Sequence, residues 1–69
     1  MTVLIQRDPD ILNGTPVFAG TRVPVKTLTD YLAGGDDIDT FLDDFPSVSR
    51  QQVVTFLEQA RELLTAAAQ

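Results

Sequence analysis

Aspartate is the residue type with the most obvious capacity for chemistry here, because five aspartates lie within residues 36–44. They are Asp36, Asp37, Asp39, Asp43 and Asp44. Clustered carboxylates can bind Mg²⁺ or Ca²⁺, but the glycine and the terminal glutamate of a calcium-binding loop are missing. Helix capping and solubility explain the cluster better. The sequence therefore predicts no metal site.

The side chains that most often carry catalysis are missing. The sequence has no histidine for acid-base work and no cysteine nucleophile. Gly34-Gly35 is not preceded by a strand or followed by a phosphate-binding lysine, so it predicts a helix stop rather than a phosphate loop. We therefore expect a binding protein rather than an enzyme, with no cofactor and no small-molecule substrate.

The chain is acidic, and its negative charge is unevenly distributed along the sequence. Five basic residues against ten acidic ones give a net charge of −5, and the sequence pI is near 4.2. Residues 1–24 and 49–69 are each neutral, so the whole excess lies between them. This charge is opposite to that of most nucleic-acid binders. Any DNA-facing surface must therefore avoid the middle of the chain.

The length of 69 residues predicts one domain, residues 1–69, with a marginal core. Without cysteine or histidine, neither a disulfide nor the usual structural zinc site adds stability, so we expect a homodimer that buries an apolar face. The absence of cysteine fits a cytoplasmic protein. No apolar run has the roughly 20 residues of a membrane span.

The first 20 residues predict a short β-arm. Val3 to Ile5 reads as a strand ended by Asp8-Pro9, Asn13-Gly14 as a turn, and Pro16 to Phe18 as a second strand. Two such strands are not stable alone in water. The arm must pack on the helices or pair with its counterpart in a dimer, and we favour the dimer.

Residues 24–67 predict three helices and a mainly α fold. The first begins at Pro24 and stops at Gly34, and the second is capped by Asp36 and ends at Pro46. Ser49 and Gln52 form a capping box at the start of the third. Its apolar stripe contains Val53, Phe56, Leu57, Ala60 and Leu64. Short connections favour a helix-turn-helix, with an ordinary three-helix bundle as the alternative.

The third helix is the predicted recognition helix, because the aspartates around the second would repel phosphates. Near its start, Arg50 suits guanine or phosphate, Gln51 suits adenine, and Thr55 suits a thymine methyl group. Gln52 is a further DNA-binding candidate, although it is partly committed to the cap. The alternative is that these residues are only the solvated side of an amphipathic helix. On the arm, Arg7 and Arg22 suit phosphate or a partner's carboxylates.

Three runs in the first 25 residues carry a family resemblance. They are Asp8-Pro9, Asn13-Gly14-Thr15-Pro16-Val17 and Gly20-Thr21-Arg22-Val23-Pro24-Val25. Together with the helices, the glycine turn and Phe45-Pro46, they resemble the bacterial and archaeal domain of unknown function 433 family. The resemblance extends from about Ile5 to Leu64. It implies a homeodomain-like helix-turn-helix fold and, for many members, an antitoxin role beside a PIN-like nuclease toxin.

Our leading expectation is therefore an antitoxin of a type II toxin-antitoxin module. Such a protein neutralises its nuclease toxin by direct binding and represses its own operon by binding operator DNA through the helix-turn-helix. A stand-alone DNA-binding regulator is one alternative. A dimeric protein-interaction module without DNA binding is the other, and the net charge of −5 favours it.

Overall fold

The computed structural model of the chain describes residues 3–67. Within them, two short strands are followed by three helices: β1 is Ile5–Gln6, β2 is Val17–Phe18, α1 is Val25–Ala33, α2 is Ile38–Asp44 and α3 is Arg50–Ala67. The predicted fold, mainly helical with a short N-terminal β-arm, is confirmed. Residues 1, 2, 68 and 69 of the predicted domain lie outside the described residues.

The β-arm is an antiparallel pair in which Ile5 lies opposite Phe18 and Gln6 opposite Val17. The first strand begins two residues later than predicted, although the Leu4 carbonyl still accepts a hydrogen bond from the Ala19 amide at 2.9 Å. The predicted Asn13-Gly14 turn is present, with φ angles of 56° and 83°. Asparagine and glycine are the residues that best tolerate this left-handed region.

The arm belongs to the core of its own chain. Val17 and Phe18 are completely buried, and the Phe18 ring lies 6.4 Å from that of Phe41 in α2 and 6.0 Å from that of Phe56 in α3. Packing on the helices, one of the two arrangements predicted for the arm, is thus confirmed, because Phe18 supplies the aromatic ring that joins α2 to α3. Pairing of the arm with its counterpart in a dimer stays a prediction.

The helix starts follow their capping residues, with one correction. Asp37, not the predicted Asp36, caps α2, because its Oδ1 accepts a hydrogen bond from the Thr40 amide at 2.8 Å. The capping box of α3 is confirmed. The Gln52 amide donates to Ser49 Oγ at 3.1 Å, and the Ser49 amide donates to Gln52 Oε1 at 3.0 Å.

The core contains one main layer of buried side chains shared by the arm and the three helices. Its members are Phe18, Val23, Leu28, Phe41, Val48 and Val53. The core covers only the first part of α3. Leu64, predicted to lie in the apolar stripe, is 73% exposed and Leu63 is 74% exposed, because the arm, α1 and α2 end before the helix does.

The end of α3 extends beyond the core, and the molecule measures 39 × 26 × 22 Å. In the part of the chain that the structure describes, no helix is long and apolar enough to cross a membrane.

Candidate functional site

Arg50, the predicted base or phosphate contact, is paired with an acid from the preceding helix. Its guanidinium donates a hydrogen bond to Asp39 of α2, and both side chains remain largely exposed. The ion pair spans 11 residues of sequence and joins the start of α3 to the acidic surface. A phosphate approaching Arg50 would meet the Asp39 carboxylate at the same place.

Gln51 and Thr55 lie on a different side of α3 from Arg50. The Gln51 side-chain amide donates to Thr55 Oγ1 at 3.1 Å. Both residues line a groove of about 290 Å³ between α3 and the start of the arm, together with Val3, Leu4, Gln52 and Gln59. Successive residues of a helix differ by about 100° in direction, which explains why Arg50 reaches α2 while Gln51 faces the arm.

Gln52 has a structural task at both ends of its side-chain amide. Its oxygen accepts from the Ser49 amide in the capping box, and its nitrogen donates to the Ala19 carbonyl at 3.0 Å. The second bond joins residues 33 positions apart and fixes the arm to α3. A base contact by Gln52 would have to replace these two bonds.

Arg22 extends from a tightly built turn. The Thr21 amide donates to the Phe18 carbonyl at 3.0 Å, and Gly20 has a φ of 78°, as the third position of a type II turn requires. The buried Thr21 hydroxyl donates to the same carbonyl at 2.7 Å and accepts from the Val23 amide at 3.0 Å. The turn therefore requires Gly20 and Thr21 for structural reasons, independently of any function of Arg22.

The two arginines of the arm are both exposed. Neither is in an ion pair within residues 3–67. Arg22 lines a second groove, of about 540 Å³, with Gln6, Ile11, Gly20, Thr21 and Ser47. Arg7 follows β1 and does not line either groove. Their positions leave both arginines accessible to an anionic partner.

The six predicted DNA-binding residues have different neighbours in the structure. Arg50 pairs with Asp39 of α2, Gln51, Gln52 and Thr55 line the first groove, Arg22 lines the second, and Arg7 lines neither. The sequence carried no signal for the long-range partners of Arg50 and Gln52, which are Asp39 and Ala19. A shared DNA-binding role for the six residues stays a prediction.

The carboxylates of the α2 region form the acidic surface, which we define as Asp36, Asp37, Asp39, Asp43 and Asp44. All five are exposed. The Thr40 amide holds the pKa of Asp37 below its usual value by hydrogen bonding to the carboxylate. The Tyr31 hydroxyl donates to Asp44 Oδ2 at 2.7 Å, and this bond raises the pKa of Tyr31 above its usual value.

The acidic surface does not converge on a point. Within residues 3–67, no group of three or more carboxylates is placed to hold a metal ion. Each aspartate instead faces solvent or a nearby hydrogen-bond donor. The surface therefore presents distributed negative charge, which suits a basic macromolecular partner.

The fold and the exposed side chains together define the class of protein: a small helical domain with exposed acidic and apolar surfaces. The family model described as protein of unknown function (DUF433) matches residues 5–60. The chain belongs to this family, as the sequence motifs predicted.

A relative from Sinorhizobium fredii (strain NBRC 101917 / NGR234), named Uncharacterized protein y4eO, is 38% identical to the chain over 50 residues. The matched segment covers 72% of this chain and 23% of that protein. The chain thus spans about a quarter of this relative's length. No solved structure matches the chain.

Proposed function

We propose that this chain is the antitoxin of a type II toxin-antitoxin module and neutralises a PIN-like nuclease toxin by direct binding. The observation that carries the proposal is the exposed acidic surface beside α3. It places five carboxylates within residues 36–44, and the only described cation that pairs with them is Arg50.

Charge complementarity is the physical basis of the proposal. A nuclease holds a nucleic acid by its phosphates and therefore presents basic side chains at its substrate surface. An acidic protein surface that covers those side chains both binds the nuclease and excludes its substrate. The family resemblance supplies the nuclease as the partner, and the cysteine-free sequence fits binding in the cytoplasm.

The first test is a pull-down of the tagged chain from its native lysate after nuclease digestion, followed by mass spectrometry. We expect a small nuclease-like protein in stoichiometric amount. The double variant Asp36→Asn/Asp43→Asn should lose most of it. Both residues lie on the acidic surface, and neither makes a side-chain hydrogen bond among residues 3–67.

A control with the same change in net charge separates the acidic surface from general electrostatics. Glu58→Gln/Glu62→Gln removes two negative charges from α3, where both residues are exposed. It should retain the nuclease. Equal loss in both double variants, or recovery of no nuclease by the unchanged chain, would reject the proposal.

Repression of the operon through α3 is a second function, favoured by one observation. α2 and α3 are joined by residues 45–49, and Arg50 and Gln51 are exposed at the start of the following helix, where a helix-turn-helix contacts DNA. The ion pair between Arg50 and Asp39 opposes this function, because the carboxylate repels phosphate.

Fluorescence anisotropy with the chain's own promoter DNA distinguishes the two functions. If α3 reads DNA, Asp39→Asn should strengthen binding by freeing Arg50, and Arg50→Ala should weaken it and reduce its dependence on salt. Specific DNA binding without a nuclease partner would indicate a stand-alone regulator. Absence of DNA binding together with nuclease binding would leave a protein-interaction module.

A further inference from the structure

One line of side chains along α3 is uncharged over its whole length. Gln51, Thr55, Gln59 and Leu63 follow one another at intervals of four residues, so they form a single ridge on the helix. This uncharged ridge stands out in a chain whose net charge is −5. An uncharged ridge is the part of the helix along which two copies of an acidic protein can meet with the least repulsion.

The uncharged ridge lies along a groove and also carries an exposed apolar side chain. At one end, Thr55 and Gln59 line the groove of about 290 Å³ whose other wall is Val3 and Leu4. At the other end, Leu63 is 74% exposed. An exposed leucine one helical turn from a groove with an apolar wall is complementary to that groove, but cannot reach it within its own rigid helix.

We propose that two copies of the chain form a symmetric dimer in which their α3 helices pack antiparallel along the uncharged ridge. Gln59 lies at the two-fold axis, and Leu63 of each copy enters the groove of the other. Thr55 and Leu63 are each four residues from Gln59, about 6 Å along the helix. An antiparallel pair centred on Gln59 therefore brings both leucines to both grooves and closes the assembly at two copies.

The exposed area of the chain supports a second copy as the occupant. The chain exposes 4940 Å², about 650 Å² more than a compact monomer of its mass. Each partner in a standard interface buries about 800 Å². The excess is therefore comparable to one side of an interface, and the exposed end of α3 contributes to it.

The first test is sedimentation equilibrium of the full chain with a pair of matched variants. We expect a dimer for the unchanged chain and a dissociation constant at least about 100-fold weaker for Leu63→Asp, because two charges would be placed in two apolar contacts. Leu64→Asp is the control. Leu64 is 73% exposed on the same turn, but points about 100° away from Leu63, so its variant should stay dimeric.

The second test is a disulfide across the proposed two-fold axis, which is practical because the chain has no cysteine. Two antiparallel helices in contact bring symmetric positions on the axis within disulfide reach. Gln59→Cys should form a covalent dimer under mild oxidation, and Glu58→Cys should not.

Circular dichroism of each variant verifies that the helices are retained, so a loss of association is separated from a loss of folding. A monomeric unchanged chain at about 100 μM would overturn the proposal. So would equal dissociation by both aspartate variants, or cross-linking through position 58 rather than 59. If the uncharged ridge instead binds a different protein, the unchanged chain alone would be monomeric.

Discussion

Replacing Gln52 with alanine is the perturbation that most directly tests how the arm is attached to the helices. Gln52 makes two bonds that alanine cannot make: one to the Ser49 amide at the start of α3 and one to the Ala19 carbonyl. The residue is half-buried, so water replaces these partners incompletely. The variant removes a local helix cap and a long-range tether at the same time.

The expected loss in the free energy of unfolding is the sum of two comparable parts. Loss of a capping interaction costs about 1 kcal/mol, and an unmade hydrogen bond to a partly buried carbonyl costs about 1 kcal/mol more. Gln52→Ala should therefore destabilise the chain by about 2 kcal/mol. For a domain of this size the melting temperature would fall by about 10 °C.

Urea denaturation followed by circular dichroism, at one fixed protein concentration, measures this loss. Ser49→Ala is the comparison, because it removes the serine acceptor of the capping box and leaves the bond to Ala19 intact. It should cost about 1 kcal/mol, and the difference between the variants measures the tether to the arm. A loss below about 0.5 kcal/mol for Gln52→Ala would refute the structural role assigned to Gln52.

Three further predictions concern single side chains. Thr21→Val should cost about 2 kcal/mol in urea denaturation, because the buried hydroxyl bonds two backbone groups, whereas Thr21→Ser should retain most of the stability. Asp37→Ala should lower the melting temperature at neutral pH and Asp36→Ala should not. The pKa of Asp37 is lowered in the folded chain, so the stabilisation that its carboxylate provides is complete above the pKa of Asp37 in the unfolded chain. This stabilisation is lost as the pH falls through the pKa of Asp37 in the folded chain, and an acid titration of stability detects the loss. The raised pKa of Tyr31 makes its bond to Asp44 stabilising below the ordinary tyrosine pKa. That contribution is lost as pH rises through the folded pKa, so Tyr31→Phe should reduce the pH dependence of stability in the alkaline range.

Local signals in the sequence were sufficient to locate the helices and the main turn. The capping box of Ser49 and Gln52 acts over three residues, and Asn13-Gly14 determines its own backbone conformation, so both were predictable without knowledge of the fold. The choice between Asp36 and Asp37 as the cap of α2 could not be predicted from the sequence. Either residue can cap a helix, and the register is set by Ile38 and Phe41, which pack in or against the core.

The candidate site was less predictable because its geometry depends on long-range partners. The capping role of Gln52 is visible in the sequence, but its bond to Ala19 crosses 33 residues. The pairing of Arg50 with Asp39 likewise depends on how α2 crosses α3. The exposure of Leu64 was missed because periodicity identifies an apolar stripe, not how far the other elements cover it.

The two proposed interactions use different sides of α3 and are therefore compatible. Arg50 lies on the side of α3 that contacts α2 and the acidic surface. Gln51, about 100° away around the helix axis, lies at the groove with Val3 and Leu4. The acidic surface carries the charge and the uncharged ridge carries none. A dimer formed along the ridge would keep both acidic surfaces accessible. Its two copies could then bind two nuclease molecules, which raises the effective affinity wherever the nuclease is itself paired.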